Sequence, residues 1–312
     1  MPTRRTFLQQ TLLAASGGLA GVSSAQTDKT GCGLAIGTYG LQSLKLEDAI
    51  GLIAKTGYNA LEISAMPGTT GAPSILATDD RARLRTIIAG SGLRLCGIMA
   101  DLQPKRIEAD HKAQLAELYH LIKLGHDLSP DHTPVVQTVL GGKDWSESRD
   151  FFRDRVADWI QITADLRGLL SIKPPRSHAM SIPADANWLI DQLGTPDRLG
   201  MVYDYSHYSF HDPELSVDAT VAEALPHTNY IAVKDAVKEG DVVRFALAGE
   251  GKAWDHAAII SGFYDGGYRG DFCCEVSSQI WKNQPGYDPV TATETCFANM
   301  AAAFDRAGVA RR

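Results

Sequence analysis

Little in this sequence would carry it into a membrane, onto nucleic acid or around a metal finger. Its one uniformly apolar stretch, residues 12–22, is too short and too rich in glycine and serine to span a bilayer. Basic residues are outnumbered, with 30 Lys and Arg against 37 Asp and Glu and a formal charge of −7. That balance leaves no electrostatic footprint for a phosphate backbone. The five cysteines (Cys32, Cys96, Cys273, Cys274 and Cys296) are odd in number and lack the spacing of a zinc finger. Cys273 and Cys274 fall together in an apolar run, where neighbours on a strand point to opposite faces. All five therefore read as small buried apolar groups rather than a disulfide framework. A glycine-rich dinucleotide loop is missing too: the first apolar run leads into Gly37-Thr38-Tyr39-Gly40-Leu41, which lacks the G-x-G-x-x-G spacing.

What is there begins with a leader pattern. Thr3-Arg4-Arg5-Thr6-Phe7-Leu8 is a twin-arginine signature, and the apolar run after it ends in the small residues Ser23-Ser24-Ala25. The expectation is a signal peptide over residues 1–25, export to the periplasm or medium by the twin-arginine route, and a soluble unit over 30–312. An amphipathic amino-terminal arm is the plainer reading of the same residues. Loss of Arg4 and Arg5, the only charged residues in the leader, would make the remainder more acidic still.

Beyond the leader, short apolar runs alternate with amphipathic stretches. Strands are expected at 34–39, 60–63, 94–100, 135–140, 169–173, 199–203, 230–233 and 271–276. Helices are expected at 46–55, 79–89, 110–124, 146–166, 183–193, 217–225, 254–263 and 290–307, with Gly57 as a helix stop and Pro183 at a first helical turn. Eight strand–helix pairs in order, with no linker between them, specify a single (β/α)8 TIM barrel with a parallel eight-stranded sheet.

In such a barrel, polar groups at the carboxyl ends of strands mark the site, because the interior beneath is packed with apolar side chains. Here the strand ends carry Glu62, then Lys173 with Arg176 and His178 just beyond. They continue with Asp204, Tyr205 and His207, with Lys234-Asp235, and with Glu275. Each would cost several kcal/mol to bury alone, so each must pair, bind a metal or face a wet pocket. Lys234-Asp235 also reads as a surface pair, and Arg176 and His178 as loop residues open to solvent. His211, His227 and His256 read as ordinary surface or capping histidines. Tyr203, Tyr205, Tyr208, Phe210, Trp254, Trp281 and Tyr287 cluster after strands six to eight. They suit stacking on sugar rings, or packing between barrel and helices.

On Ala60-Leu61-Glu62-Ile63, Val202-Tyr203-Asp204-Tyr205-Ser206-His207, Ile231-Ala232-Val233-Lys234-Asp235 and Cys274-Glu275-Val276, the chain resembles the xylose isomerase-like barrels, the sugar-phosphate isomerases and epimerases. The D-x-x-H after strand six and the glutamate after strand eight carry the resemblance together. It implies a carbohydrate substrate, proton abstraction next to a carbonyl, and one divalent ion, manganese or magnesium. The ion would be held by a glutamate, an aspartate, a histidine and a glutamate on strands five to eight. Asp204 and Glu275 match two of those ligands, and His207 matches a residue beside metal or substrate. Lys173 stands where the strand-five glutamate belongs and Ala232 where the strand-seven histidine belongs.

A protonated lysine repels a hard cation. Two readings follow: Lys173 takes over the metal's electrostatic role, or a metal is held differently by Asp204, Glu275, His207 and His178. Catalytic roles are expected for Glu275, Lys173 and His207. Substrate contacts are expected from Glu62, Arg176, His178, Tyr205, Lys234 and Trp281. A keto-sugar lyase or dehydratase, in one version using Lys173 as a Schiff-base amine, and a non-catalytic secreted sugar-binding barrel are the alternatives. The zinc-dependent endonuclease relatives are set aside, since their histidine ligands are not matched and the acidic charge opposes DNA.

Overall fold

Alternation of small and large apolar residues decides which way the first strand faces. In β1 (Gly33–Gly37), Leu34 and Ile36 join the large cluster between sheet and helices, while Ala35 packs into the narrow bore of the barrel. A computed structural model describes residues 31–312, so the expected leader, 1–25, lies outside the described residues. The two-sided burial of β1 recurs in β2 (Ala60–Ser64), β3 (Arg94–Met99), β4 (Val135–Val139), β5 (Leu169–Lys173), β6 (Leu199–Tyr203) and β7 (Thr228–Val233). An antiparallel hairpin follows, β8 (Asp235–Glu239) and β9 (Val242–Ala246), and the last barrel strand is β10 (Asp271–Cys274). The barrel closes in the order β1-β10-β7-β6-β5-β4-β3-β2, with every neighbouring pair parallel.

Around it run α1 (Leu46–Thr56), α2 (Thr78–Ser91), α3 (Glu108–Leu128), α4 (Trp145–Asp165), α5 (Pro183–Gln192), α6 (Val217–Ala224), α7 (His256–Asp265), the single turn α8 (Ser278–Trp281) and α9 (Pro289–Ala307). Local chemistry sets their ends. Gly57, at φ 106°, closes α1 in a left-handed conformation that suits glycine. The Asp144 and Asp288 carboxylates accept the Glu147 and Thr291 amides at 3.0 and 2.9 Å, capping α4 and α9. Asp255 does the same for Ala257, which is why α7 starts at 256 and not at the expected 254. The expected barrel and all eight strands are present. The hairpin and α8 were not expected.

The middle layer of the bore is built from small side chains: Ala35, Ala60, Val202, Ala232 and Cys273. Cys273 faces this bore, while its neighbour Cys274 joins the outer cluster with Cys296, as adjacent strand residues must. All five cysteines are free and buried. One large side chain crosses the bore. The Tyr230 ring lies over Gly97, where an added Cβ would sit 2.8 Å from it, and the Tyr230 hydroxyl donates to Glu62 Oε2 at 2.7 Å.

Among the described residues no helix is long and apolar enough to cross a membrane.

Candidate functional site

Strand parity builds the site. Residues two apart on a strand share a face, so Lys173 stands above Ser171, Asp204 above Val202, Lys234 above Ala232 and Glu275 above Cys273. All four charged side chains therefore enter the bore in one layer at its carboxyl-terminal end, from β5 and the ends of β6, β7 and β10. They close a ring. Lys173 Nζ reaches Glu275 Oε2 at 2.5 Å and Asp204 Oδ2 at 3.3 Å. Lys234 Nζ pairs with the same Asp204 oxygen and with Glu275 Oε1 at 3.0 Å. Each ammonium thus bridges both carboxylates. Asp204 Oδ1 is satisfied by the Ser206 hydroxyl at 2.6 Å.

His207 completes the layer. Its Nδ1 accepts the Arg176 backbone N–H at 3.1 Å, so the ring proton sits on Nε2, 3.5 Å from Asp204 Oδ2 and beside the Lys234 ammonium at 3.3 Å. Phe245, carried by the hairpin strand β9, packs edge-on against the His207 ring at 5.0 Å, and Lys234 Nζ lies 5.0 Å from the Phe245 ring centre.

Burial and charge fix the protonation states. Burial alone would neutralise Lys173, but the Glu275 and Asp204 charges outweigh it and hold the ammonium more firmly protonated than usual. Burial likewise opposes ionisation of Glu275, yet Lys173 and Lys234 bring its pKa down to about 2. The same two lysines overcome burial at Asp204 and keep it ionised. His207 goes the other way: burial, then the Lys234 ammonium, lower it to about 3, so the ring is neutral. Glu62 lies on β2, and among the described residues no cation is in contact with it. Burial raises it to about 7, and hydrogen bonds from Tyr230 and from Gln137 at 2.8 Å only partly offset this.

A cavity of about 210 Å3 opens above the ring. Lys173, His207 and Glu275 form part of its wall; Glu275, with 12% of its side chain exposed, faces it most openly. Asp204 and Lys234, each 1% exposed, stand behind. The remaining wall comes from Tyr39, Met66, Met99, Asp101, His178 and Ser277, among others.

Several expectations are corrected by this arrangement. Lys234 is neither a substrate-facing group nor half of a surface pair; it is the centre of the charge ring. Asp235, equally buried, turns away to His256 Nε2 at 2.5 Å and to the Gly251 amide at 2.7 Å, so His256 is a buried hydrogen-bond partner rather than a surface residue. Tyr205 does not line the cavity: its hydroxyl donates to Leu215 O at 2.8 Å and its ring packs on Trp254. Arg176 spends its guanidinium on Ser209 O and contributes only its backbone N–H. Trp281 stands behind Tyr39, edge-on at 5.5 Å, and does not reach the wall. Tyr203 and Tyr208 pack between barrel and helices. Glu62 sits beneath the ring at 1% exposure, too deep for direct substrate contact. His178 does line the cavity, with its Nδ1 unpaired.

The family model described as xylose isomerase-like TIM barrel matches residues 50–295. The chain belongs to that family. Solved structures of the same fold include a xylose isomerase-like TIM barrel protein from Mycobacterium smegmatis in complex with magnesium, 18% identical, covering 88% of this chain and 97% of that one, with a TM-score of 0.68. An L-ribulose 3-epimerase is 16% identical over 89% and 96%, TM-score 0.69. The D-psicose 3-epimerase with D-tagatose from Clostridium cellulolyticum H10 is 13% identical over 88% and 99%, TM-score 0.71. No curated protein sequence matches.

The divalent ion that the family resemblance implies does not fit the donors of this barrel. It would need Asp204 and Glu275, but Asp204 Oδ2 and both Glu275 oxygens already hold ammonium groups. Two lysines and two carboxylates cancel, so an added dication would leave an uncompensated double charge in a buried layer. Among the described residues no three His, Cys, Asp or Glu side chains are grouped to hold a metal. The rearranged site with His207 and His178 as further ligands finds no support in this geometry.

Proposed function

We propose that this xylose isomerase-like barrel is a carbohydrate isomerase or epimerase in which lysine ammonium groups take the place of a metal. The observation that carries the reading is the Lys173–Glu275 pair, an acid and a base in contact at the floor of the cavity. The epimerase names of similarly folded proteins agree with it.

At rest, Glu275 is a weak base because two ammonium groups hold its charge. When a substrate carbonyl enters, Lys173 turns one N–H to the carbonyl oxygen and withdraws from Glu275. The carboxylate then gains basicity and takes the proton from the carbon next to the carbonyl. The electron pair moves to the oxygen, where Lys173 stabilises the enolate charge. Return of the proton to the former carbonyl carbon, as the hydroxyl proton of the neighbouring carbon passes to the first oxygen, gives isomerisation; delivery of a proton to the opposite face by water in the cavity, with Glu275 then losing its own proton to solvent, gives epimerisation. Asp204, Lys234 and neutral His207 keep the pair in register. The Schiff-base lyase is disfavoured, since two carboxylates hold Lys173 protonated and remove the free amine that attack requires.

A screen of ketoses and keto-sugars in metal-free buffer tests the proposal. Turnover is expected without added metal, insensitive to EDTA, and lost by at least about a hundredfold in Glu275→Gln and Lys173→Met. Turnover that requires manganese overturns the metal-free mechanism. Saturable sugar binding with no turnover favours a sugar-binding barrel instead. Export to the periplasm or the medium is part of the same proposal, supported by the twin-arginine pattern at residues 3–8.

A further inference from the structure

The charges on the cavity wall bear on what the ligand can carry. Among the described residues, one cation, Lys173, lies on that wall, and it is matched by Glu275 at 2.5 Å. Lys234 is behind the wall and fully engaged. Both wall histidines are held below the usual histidine range, His178 by burial and His207 by burial and then the Lys234 charge. What remains is Asp101, on the loop after β3. It accepts one hydrogen bond from the neutral Gln103 amide at 3.0 Å and, among the described residues, makes no ion pair.

That loop is fixed in place. The Ala100 amide donates to Gln137 O at 2.9 Å, and the Leu102 amide donates to the Thr138 hydroxyl at 2.7 Å. Asp101 is thus pinned on both sides at the wall. Barrels commonly grip a phosphate at the start of a short helix after the last strand. Here the corresponding turn is α8, whose Gln279 amide is already capped by the Ser277 hydroxyl at 3.2 Å. The rest of the wall offers neutral groups: Tyr39, Thr138, Ser277 and Ser278 for hydroxyls, Met66 and Met99 for the C–H faces of a ring.

We propose that the cavity selects an uncharged, unphosphorylated sugar, and that Asp101 is the specificity-determining residue that repels phosphorylated and carboxylated ones. This inference rests on the carbohydrate reading of the site. A wall with one unmatched negative charge disfavours an anionic ligand electrostatically, and the penalty shrinks as salt screens it.

The test titrates the full-length protein with D-fructose, D-fructose 6-phosphate and D-gluconate by calorimetry at low and high salt, together with Asp101→Asn. Fructose is expected to bind at least about tenfold more tightly than either anion at low salt. The gap is expected to narrow several-fold in Asp101→Asn and in high salt. Equal or tighter binding of the phosphate overturns the proposal while leaving the carbohydrate reading intact. A gap that Asp101→Asn does not change removes Asp101 as its cause. Absence of binding by all three, neutral and charged alike, overturns the carbohydrate reading and this inference with it.

Discussion

Glu62→Gln gives the sharpest test of the electrostatics beneath the site. Glu62 is buried on β2, and among the described residues no cation touches it. Burial, with two hydrogen bonds working against it, places its pKa at about 7, against 4.5 for an ordinary glutamate. Between those two values the folded protein keeps a proton that the unfolded chain has released. The contribution of Glu62 to stability is therefore whole below about 4.5 and is lost as pH rises through 7. One pKa unit is worth about 1.4 kcal/mol, so the full span amounts to about 3 kcal/mol. Glutamine keeps a carbonyl oxygen for the Tyr230 hydroxyl and cannot ionise. Its stability relative to the wild type should improve by about 2–3 kcal/mol between roughly pH 5 and pH 8. His207 pulls the wild-type curve the other way. Its folded pKa of about 3, against 6.5, costs stability as pH falls below 6.5, so the difference between the two proteins isolates Glu62 better than either curve does. Urea denaturation of both proteins across that range is the assay. Parallel curves would refute the reasoning, because they would mean that Glu62 carries its charge at neutral pH as an exposed glutamate does.

Two further outcomes follow from the packing. Lys234→Met removes a 1%-exposed ammonium that serves both carboxylates, leaving Asp204 and Glu275 to share Lys173. It should cost about 3–5 kcal/mol in urea denaturation, and a loss below about 1 kcal/mol would mean that the ring is far wetter than its burial indicates. Gly97→Ala puts a Cβ 2.8 Å from the Tyr230 ring and should destabilise by about 1–3 kcal/mol. Displacing that ring also weakens the hydroxyl bond to Glu62, so the pH dependence described above should shift in this variant, and an unchanged melting temperature and pH profile would count against the crossing of the bore.

The sequence made the barrel legible because the helix and strand periods alternate cleanly and glycines, prolines and caps punctuate them. It made the strand-end charges legible for the same reason, since a charged residue closing an apolar strand is conspicuous. Lys173, Asp204, His207 and Glu275 do converge. Lys234 reads from sequence as a substrate contact or half of a surface pair, while its parity with Tyr230 and Ala232 turns it inward. Parity fails beyond a strand end. Tyr205 and Arg176 lie on loops whose course depends on tertiary bonds, to Leu215 O and to Ser209 O, that no local pattern encodes. Tyr39 and Asp101 carry no strand-end signal, since they stand on the loops after β1 and β3, beyond the strands whose ends the pattern marks. The hairpin is not marked in the same way: β8 carries Asp235, Lys238 and Glu239, and β9, apolar apart from Arg244, is partly exposed along its length rather than buried on both faces like the barrel strands.

The departures at Lys173 and Ala232 make physical sense only as a pair with Lys234. A lysine at position 173 alone would put one positive charge among carboxylates and could still leave them a free face for a cation. Ala232 leaves room directly below Lys234, so the lysine side chain can reach Asp204 and Glu275 together where a histidine ring would otherwise stand. With both lysines present, Asp204 Oδ2 and both Glu275 oxygens are spoken for and the ring is neutral. In the proposed mechanism, the positive charge that a metal would bring is then part of the chain itself. It differs from a metal in one respect that matters for the chemistry: an ammonium can lend an N–H to a substrate oxygen and then return to its carboxylate. The Lys173–Glu275 contact is the one place in the ring where such an exchange opens onto the cavity.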